Sequence, residues 1–156
     1  MVQAFPSCTA TEIPLATMIL KQKNIPNFVK TNLLPLLVNY NIITFIGPLG
    51  AGKTTIIREI LRQAGVTAPV TSPTFGYVKS YVGGNNHFYH FDLYRINNSD
   101  AFIDAGFDEY FTQKDSTCLI EWPEVIAPVL ANKNIVTIAI DYDPIDQLSR
   151  NITISK

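Results

Sequence analysis

A glycine-rich segment at residues 47–54 holds the residue types that bind a polyphosphate. Its spacing satisfies the phosphate-loop pattern G-x-x-x-x-G-K-[ST] at every defined position. The glycines permit positive φ angles and let main-chain N–H groups approach phosphate oxygens closely. Lys53 is placed to reach the β- and γ-phosphates, and the Thr54 hydroxyl to ligate magnesium. The segment therefore predicts a site for a nucleoside triphosphate with Mg²⁺, ATP being the expected nucleotide, whose binding residues are Pro48, Leu49, Gly50, Ala51, Gly52, Lys53, Thr54 and Thr55.

An acidic side chain near the metal is the second requirement for hydrolysis or transfer of a phosphoryl group. Glu121 directly follows the apolar run at residues 117–120, which predicts a short buried strand. Ligands of α/β proteins bind at the carboxyl ends of such strands. Glu121 is therefore the predicted metal ligand beside Thr54, and the alternative is a solvent-exposed carboxylate at a strand end.

A second acid, Asp92, lies in an aromatic stretch at residues 88–94, where strand alternation places it on one face with His90. A carboxylate among aromatic rings is costly to bury unless it is paired or functional. Asp92 is a candidate catalytic residue that orients the attacking water or holds a metal-bound water, and the alternative is a structural pair with Arg95 or another donor. For His90 a hydrogen-bonded structural role is favoured over a catalytic base, and for Arg95 a structural role competes with charge near the γ-phosphate.

The loop at residues 71–75 carries several hydroxyl groups, Thr74 among them, between the first crossover helix and the next strand. Hydroxyls at such a position can sense a γ-phosphate or a metal, as nucleotide switch loops do. The alternative is an ordinary hydroxyl-bonded turn. Trp122, which follows Glu121, is expected against the nucleotide site, at a partner surface, or in the core.

The elements that position these groups follow from hydrophobic periodicity and turn residues. A β-branched run before the phosphate loop predicts a buried strand, and apolar residues at helical spacing after it predict a helix that Gly65 ends. A Gly-Gly-Asn-Asn turn at 83–86 predicts an antiparallel hairpin. The other predicted elements are a helix at 12–22 interrupted by Pro14, a helix at 28–38 disrupted by Pro35, short helices at 99–103, 106–111 and 123–130, and strands at 42–46, 75–82, 87–94, 117–120, 135–140 and 150–154.

This alternation of strands and helices predicts an α/β chain, with a P-loop NTPase-like three-layer fold, a mixed β-sheet and one antiparallel hairpin. All 156 residues are assigned to a single domain. The formal net charge of -1 and the lack of a basic run argue against direct gripping of nucleic acid. Neither a signal peptide nor an apolar run of about 20 residues is visible, and Cys118 is predicted to be a buried inert thiol, so a cytoplasmic protein without membrane contact is expected.

Four segments resemble one family, the TsaE proteins, small ATPases of bacterial tRNA threonylcarbamoyladenosine modification. The segments are GPLGAGKTT at 47–55, SPTF at 72–75, HFDLYR at 90–95 and IEWPE at 120–124. The resemblance implies an ATPase acting with TsaD-like and TsaB-like proteins, which transfer a threonylcarbamoyl group to the adenosine beside the anticodon. This chain would then meet tRNA only indirectly, through that complex.

The same resemblance implies roles for individual residues. Lys53 and Thr54 carry the phosphate and metal roles, Glu121 matches the metal-associated acid, and Asp92 matches the catalytically important aspartate. Thr74 matches the switch-like loop. The family's early Thr/Ser-Glu region lies near the nucleotide base, which makes Thr11 a candidate there, although this stretch is longer and more broken by prolines than the family's simple helix.

Two other functions use the same loop. A small-molecule kinase needs a lid that excludes water and brings arginines to the phosphates, and no Arg-rich segment is visible around Arg58, Arg62, Arg95 and Arg150. A nucleotide-dependent interaction module with little turnover needs only the loop. Lys53, Thr54, Asp92 and Glu121 together favour hydrolysis, slow in the absence of partners.

Overall fold

The computed structural model of the chain describes residues 14–73 and 76–156. Its centre is a seven-stranded sheet in the order β1-β7-β6-β2-β5-β4-β3. Strands β6, β2, β5 and β4 run parallel to one another, whereas β1, β7 and β3 join the sheet by antiparallel pairing. The strands are β1 Pro14–Lys21, β2 Ile42–Ile46, β3 Val78–Gly83, β4 Asn86–Asp92, β5 Ser116–Glu121, β6 Ile135–Tyr142 and β7 Ser149–Ser155.

Helical segments connect these strands and cover both faces of the sheet. The α-helices are α1 Ile25–Phe28, α2 Lys53–Gln63, α3 Ser99–Asp104 and α4 Ala127–Leu130. Between them lie a π-helical turn at Val29–Leu33 and 3₁₀ segments at Gln22–Asn24, Leu34–Val38, Phe107–Thr112 and Pro123–Ile126. Within the described residues, no helix is long and apolar enough to cross a bilayer.

Two hydrophobic clusters, one on each side of the sheet, hold these layers together. One cluster contains Ile57 and Leu61 of α2 with Leu33 and Ile138, and the other contains Phe91 with Phe102, Phe111 and Ile120. Burial of such side chains is worth about 1.5–3 kcal/mol each. The arrangement confirms the predicted α/β class, with helices on both faces of a mixed sheet and one antiparallel hairpin.

The predicted helix at residues 12–22 is wrong, because Pro14–Lys21 forms the edge strand β1. Ala16, Met18 and Leu20 alternate with more exposed neighbours, a period of two that suits a strand against one core face. Strand β7 supplies the antiparallel partner, with Met18 opposite Ile152. Pro14 is tolerated because it is the first residue of an edge strand, where the lost N–H breaks no internal ladder.

The other elements agree in type with the predictions and differ in extent. The helical stretch before β2 changes type three times, and Pro35 is the second residue of its last segment, the 3₁₀ turn Leu34–Val38. The hairpin strands are shorter than predicted, since β3 begins at Val78 and β4 ends at Asp92. Asn98 caps α3, because its side chain accepts a hydrogen bond from the Ala101 N–H.

Candidate nucleotide-binding site

The phosphate loop connects β2, in the middle of the sheet, to the start of α2. Gly52 caps the helix at φ 110°, a left-handed conformation that an L side chain rarely adopts. A Cβ at Gly47 would stand 2.1 Å from the Ile140 carbonyl oxygen, so only glycine fits against β6 there. The loop therefore presents main-chain N–H groups and the positive end of α2 to the same space, which favours an anion.

Lys53 is buried within the loop that it would use to bind phosphate, with 5% of its surface exposed. Its Nζ donates to the carbonyl oxygens of Gly47 at 2.7 Å and Pro48 at 3.0 Å. The same ammonium lies 3.9 Å from the centroid of the Trp122 ring. Burial lowers the pKa of Lys53, and the carboxylates of Glu121, Glu124 and Asp92 act in the opposite direction. The Lys53 ammonium group is thus held by two neutral carbonyl oxygens, and the predicted phosphate oxygens would be stronger acceptors because they are charged.

Thr54 and Glu121, the two predicted metal ligands, are already in contact. The Thr54 hydroxyl donates to Glu121 Oε1 at 2.7 Å. Glu121 ends β5, which runs parallel to β2 with Phe45 opposite Glu121, so the carboxylate lies beside the phosphate loop. The side chain is only 3% exposed, so the alternative of a solvent-exposed strand-end carboxylate is wrong. An alcohol and a carboxylate oxygen are ligands that Mg²⁺ prefers.

Asp92 lies at the end of β4, opposite Glu121 in the parallel pairing of β4 with β5. Its Oδ2 accepts the Ser72 hydroxyl at 2.6 Å, and its Oδ1 accepts the Tyr94 N–H at 3.3 Å. The neighbouring strands β2, β5 and β4 therefore end at the phosphate loop, at Glu121 and at Asp92, respectively. This is the edge at which open α/β sheets bind ligands.

A cavity of about 480 Å³ lies in front of these strand ends. Most predicted site residues line it, namely Leu49, Gly50, Gly52, Lys53, Thr54, Thr55, Asp92 and Glu121. Of the other two loop residues, Pro48 accepts a hydrogen bond from Lys53 through its carbonyl oxygen, and Ala51 is buried. Ser72, Arg95 and the half-buried Trp122 also face the cavity. Thr11 and Thr74 lie outside the described residues.

The sequence did not predict two contacts, here called the brace, by which Tyr142 at the end of β6 and Arg150 in β7 hold the phosphate loop. The Tyr142 hydroxyl donates to the Leu49 carbonyl at 2.8 Å, and Arg150 Nε donates to the Ala51 carbonyl at 3.1 Å. The Arg150 guanidinium also lies 4.5 Å from the Tyr142 ring centroid. These contacts span more than ninety positions of sequence, so no local pattern reveals them.

We expect Tyr142→Phe to loosen the loop without removing the ring that carries Arg150. One neutral hydrogen bond is worth about 1 kcal/mol, which corresponds to roughly a fivefold loss of nucleotide affinity. Calorimetric titration and amide hydrogen exchange at residues 49–52 measure the effect. Tyr40→Phe, remote from the loop, is the matched control. Unchanged exchange and affinity in Tyr142→Phe would show that the brace is not needed.

Two other sequence predictions concern residues away from the cavity. His87 is exposed, as its position directly after the Gly-Gly-Asn-Asn turn predicts. Cys118 is fully buried as predicted, and burial raises its pKa to about 12, which disfavours the reactive thiolate. Among the described residues, no cluster of three or more His, Cys, Asp or Glu side chains could hold a metal ion by itself. A cation that arrives with phosphate ligands needs only one or two protein ligands.

Comparison with known proteins points to one family. The family model described as threonylcarbamoyl adenosine biosynthesis protein TsaE matches residues 20–152. The tRNA threonylcarbamoyladenosine biosynthesis protein TsaE of Bacillus subtilis is 39% identical over 95 residues, which cover 61% of this chain and 58% of that protein. The Haemophilus influenzae protein of the same name is 42% identical over 96 residues, 62% of this chain and 60% of its own.

A solved structure agrees with these sequence matches over a larger part of the chain. The crystal structure of Bacillus subtilis YdiB superposes with a TM-score of 0.72 at 27% identity, covering 94% of this chain and 88% of that one. The alignments to the two TsaE proteins span less than two thirds of the length of those proteins. The structural match to YdiB is nearly complete for both chains.

Proposed function

The chain belongs to the TsaE family, and on that premise we propose that it is a magnesium-dependent ATPase serving tRNA threonylcarbamoyladenosine biosynthesis. The observation that carries the proposal is the meeting of Lys53, Thr54, Glu121 and Asp92 at one edge of the sheet. A phosphate loop alone accounts for binding, whereas the two acids beside it supply what hydrolysis needs in addition.

Each residue has a part that its position allows. The loop amides and the start of α2 would hold the phosphates, and the Lys53 ammonium would move from the loop carbonyls onto their oxygens. Thr54 and Glu121 would hold Mg²⁺, which when bound offsets the charge of the β- and γ-phosphates. Asp92, fixed by Ser72, would accept a hydrogen bond from the attacking water and aim it at the γ-phosphate.

The arginines favour hydrolysis over a kinase function. Arg58 bonds to the Val70 carbonyl, Arg62 pairs with Glu59 on α2, and Arg150 braces the phosphate loop. Arg95 lines the cavity. A kinase lid brings arginines over the phosphates. The bonds of Arg58, Arg62 and Arg150 therefore hold these side chains in contacts other than a lid over the phosphates.

Partners explain how a chain of this charge serves a tRNA reaction. The formal net charge is -1, which gives little electrostatic attraction to a phosphate backbone. We therefore assign the contact with tRNA to TsaD-like and TsaB-like proteins, with this chain coupling ATP hydrolysis to their reaction. A nucleotide-dependent module without turnover would need neither Asp92 nor its bond to Ser72.

The test is to add the partner proteins to this chain with ATP and Mg²⁺. We expect a complex on size exclusion that depends on nucleotide, and an ATPase rate that changes when the partners are present. Omitting Mg²⁺ should abolish turnover, and Lys53→Ala protein purified in the same way controls for contaminating phosphatases. A nucleotide-bound complex without any change in rate would favour the interaction module. If the chain did not bind ATP at all, both the nucleotide site and the ATPase function would be refuted.

A further inference from the structure

A buried histidine lies behind the acid that is proposed to hold magnesium. His90 of β4 is fully buried, and its Nε2 lies 2.8 Å from Glu121 Oε1. Glu121 is itself only 3% exposed, so this hydrogen bond is shielded from water. A bond in such surroundings is electrostatically stronger than one at the surface. The imidazole does not line the cavity, so its influence on the site passes through Glu121.

The two nitrogens of this imidazole have different surroundings. Nδ1 is buried and has no hydrogen-bond partner among the described residues. Because a carboxylate only accepts hydrogen bonds, the bond to Glu121 requires the hydrogen on Nε2. Nδ1 then carries a lone pair that needs no acceptor. The environment thus selects one tautomer, in which His90 donates to Glu121.

Glu121 receives two hydrogen bonds on the same oxygen. Thr54 donates to Oε1 from the phosphate loop, and His90 donates to Oε1 from β4. In the part of the chain that the structure describes, both hydrogen bonds to this carboxylate are made to Oε1. Oε2 is therefore left to bind a cation or its water. Two donors from different elements fix the plane of a carboxylate far better than one.

We propose that His90 is a positioning residue that holds the Glu121 carboxylate in the orientation needed to bind Mg²⁺ with the nucleotide. The inference rests on the proposed function, because it concerns how tightly the ATP-bound cation is held. Partners of metal ligands typically contribute 10- to 100-fold to metal affinity. A histidine that merely filled the core would affect folding and leave the metal dependence of binding unchanged.

The experiment compares nucleotide binding with and without magnesium in His90 variants. A non-hydrolysable ATP analogue is titrated calorimetrically in EDTA and at several Mg²⁺ concentrations, with Trp122 fluorescence as a second readout. His90→Leu should weaken Mg²⁺ binding to the complex by about 10-fold or more, with affinity in EDTA within about twofold of wild type. Phe88→Leu, a buried change on the same strand, should leave the Mg²⁺ dependence intact.

Two amide substitutions at His90 test whether the bond from the Nε2 position is the one that supports Mg²⁺ binding. The Gln amide nitrogen reaches the position of Nε2, so His90→Gln should recover most of the Mg²⁺ affinity. The shorter Asn reaches only the position of Nδ1, so His90→Asn should not. This pair decides the question even where His90→Leu fails to fold, as judged by circular dichroism.

The outcomes separate this inference from the function on which it rests. Wild-type protein whose nucleotide affinity does not respond to Mg²⁺ would overturn both. A wild-type response that His90→Asn and His90→Leu retain in full would overturn the positioning role alone. Equal losses in EDTA and in Mg²⁺ would also overturn it, because they would indicate a general disturbance of the loop.

Discussion

Lys53→Ala is expected to weaken ATP binding by about 100-fold or more. The ammonium would make hydrogen bonds to phosphate oxygens, and losing such charge-assisted bonds costs about 3 kcal/mol in total. The same substitution should not lower the stability of the nucleotide-free protein. Burial lowers the pKa of Lys53, so the charged side chain is held there at a cost in the folded state. Calorimetry for affinity and thermal unfolding for stability measure the two effects separately.

The control for this change is Lys133→Ala. Lys133 is exposed and precedes β6, at the edge of the sheet opposite the phosphate loop. Its removal alters the net charge by the same amount and should leave ATP affinity unchanged. Equal affinities for Lys53→Ala and wild type would refute the phosphate-loop assignment. A parallel loss in Lys133→Ala would point instead to overall charge.

The sequence predicted the core of the site because its signals are local. The phosphate loop is contiguous, and the strand before it is a short β-branched run that needs no partner to be recognised. Glu121 was expected at a strand end because the apolar run stops there, whereas Asp92 was expected within a strand that runs to residue 94 and instead ends β4. Their adjacency then follows from parallel pairing, since β4 and β5 place Asp92 opposite Glu121.

The features that the sequence did not predict depend on distant pairing. Pro14–Lys21 lacks a strong strand pattern of its own and becomes β1 through antiparallel pairing with β7. Tyr142 and Arg150 brace the phosphate loop only because β6 lies beside β2 and β7 lies beside β6 in the sheet order. His90 was interpreted as a hydrogen-bonded structural residue, and the structure adds that its partner is Glu121. Its tautomer follows from that partner and not from the neighbouring residues.

Asp92 differs from the other site residues because it does not need to touch the nucleotide in order to matter. It ends β4 next to the proposed metal ligand, and the Ser72 hydroxyl donates to its Oδ2 at 2.6 Å. A carboxylate fixed in this way can orient water and accept a proton, while the phosphates are held by the loop. Binding and turnover should therefore respond differently to its removal.

Asp92→Asn is expected to lower the ATPase rate by about 10²- to 10⁴-fold, the range that general bases supply, with nucleotide affinity within about threefold of wild type. Asparagine keeps the shape: its one carbonyl oxygen can accept from the Tyr94 N–H and its amide nitrogen can donate to the Ser72 hydroxyl oxygen, so the basic carboxylate is what is lost. Single-turnover kinetics with the partners present separates the chemical step from product release. Asp104→Asn, an exposed change at the end of α3, should hydrolyse ATP at the wild-type rate. Normal turnover in Asp92→Asn would remove its catalytic role and assign the positioning of water to another group at the cavity.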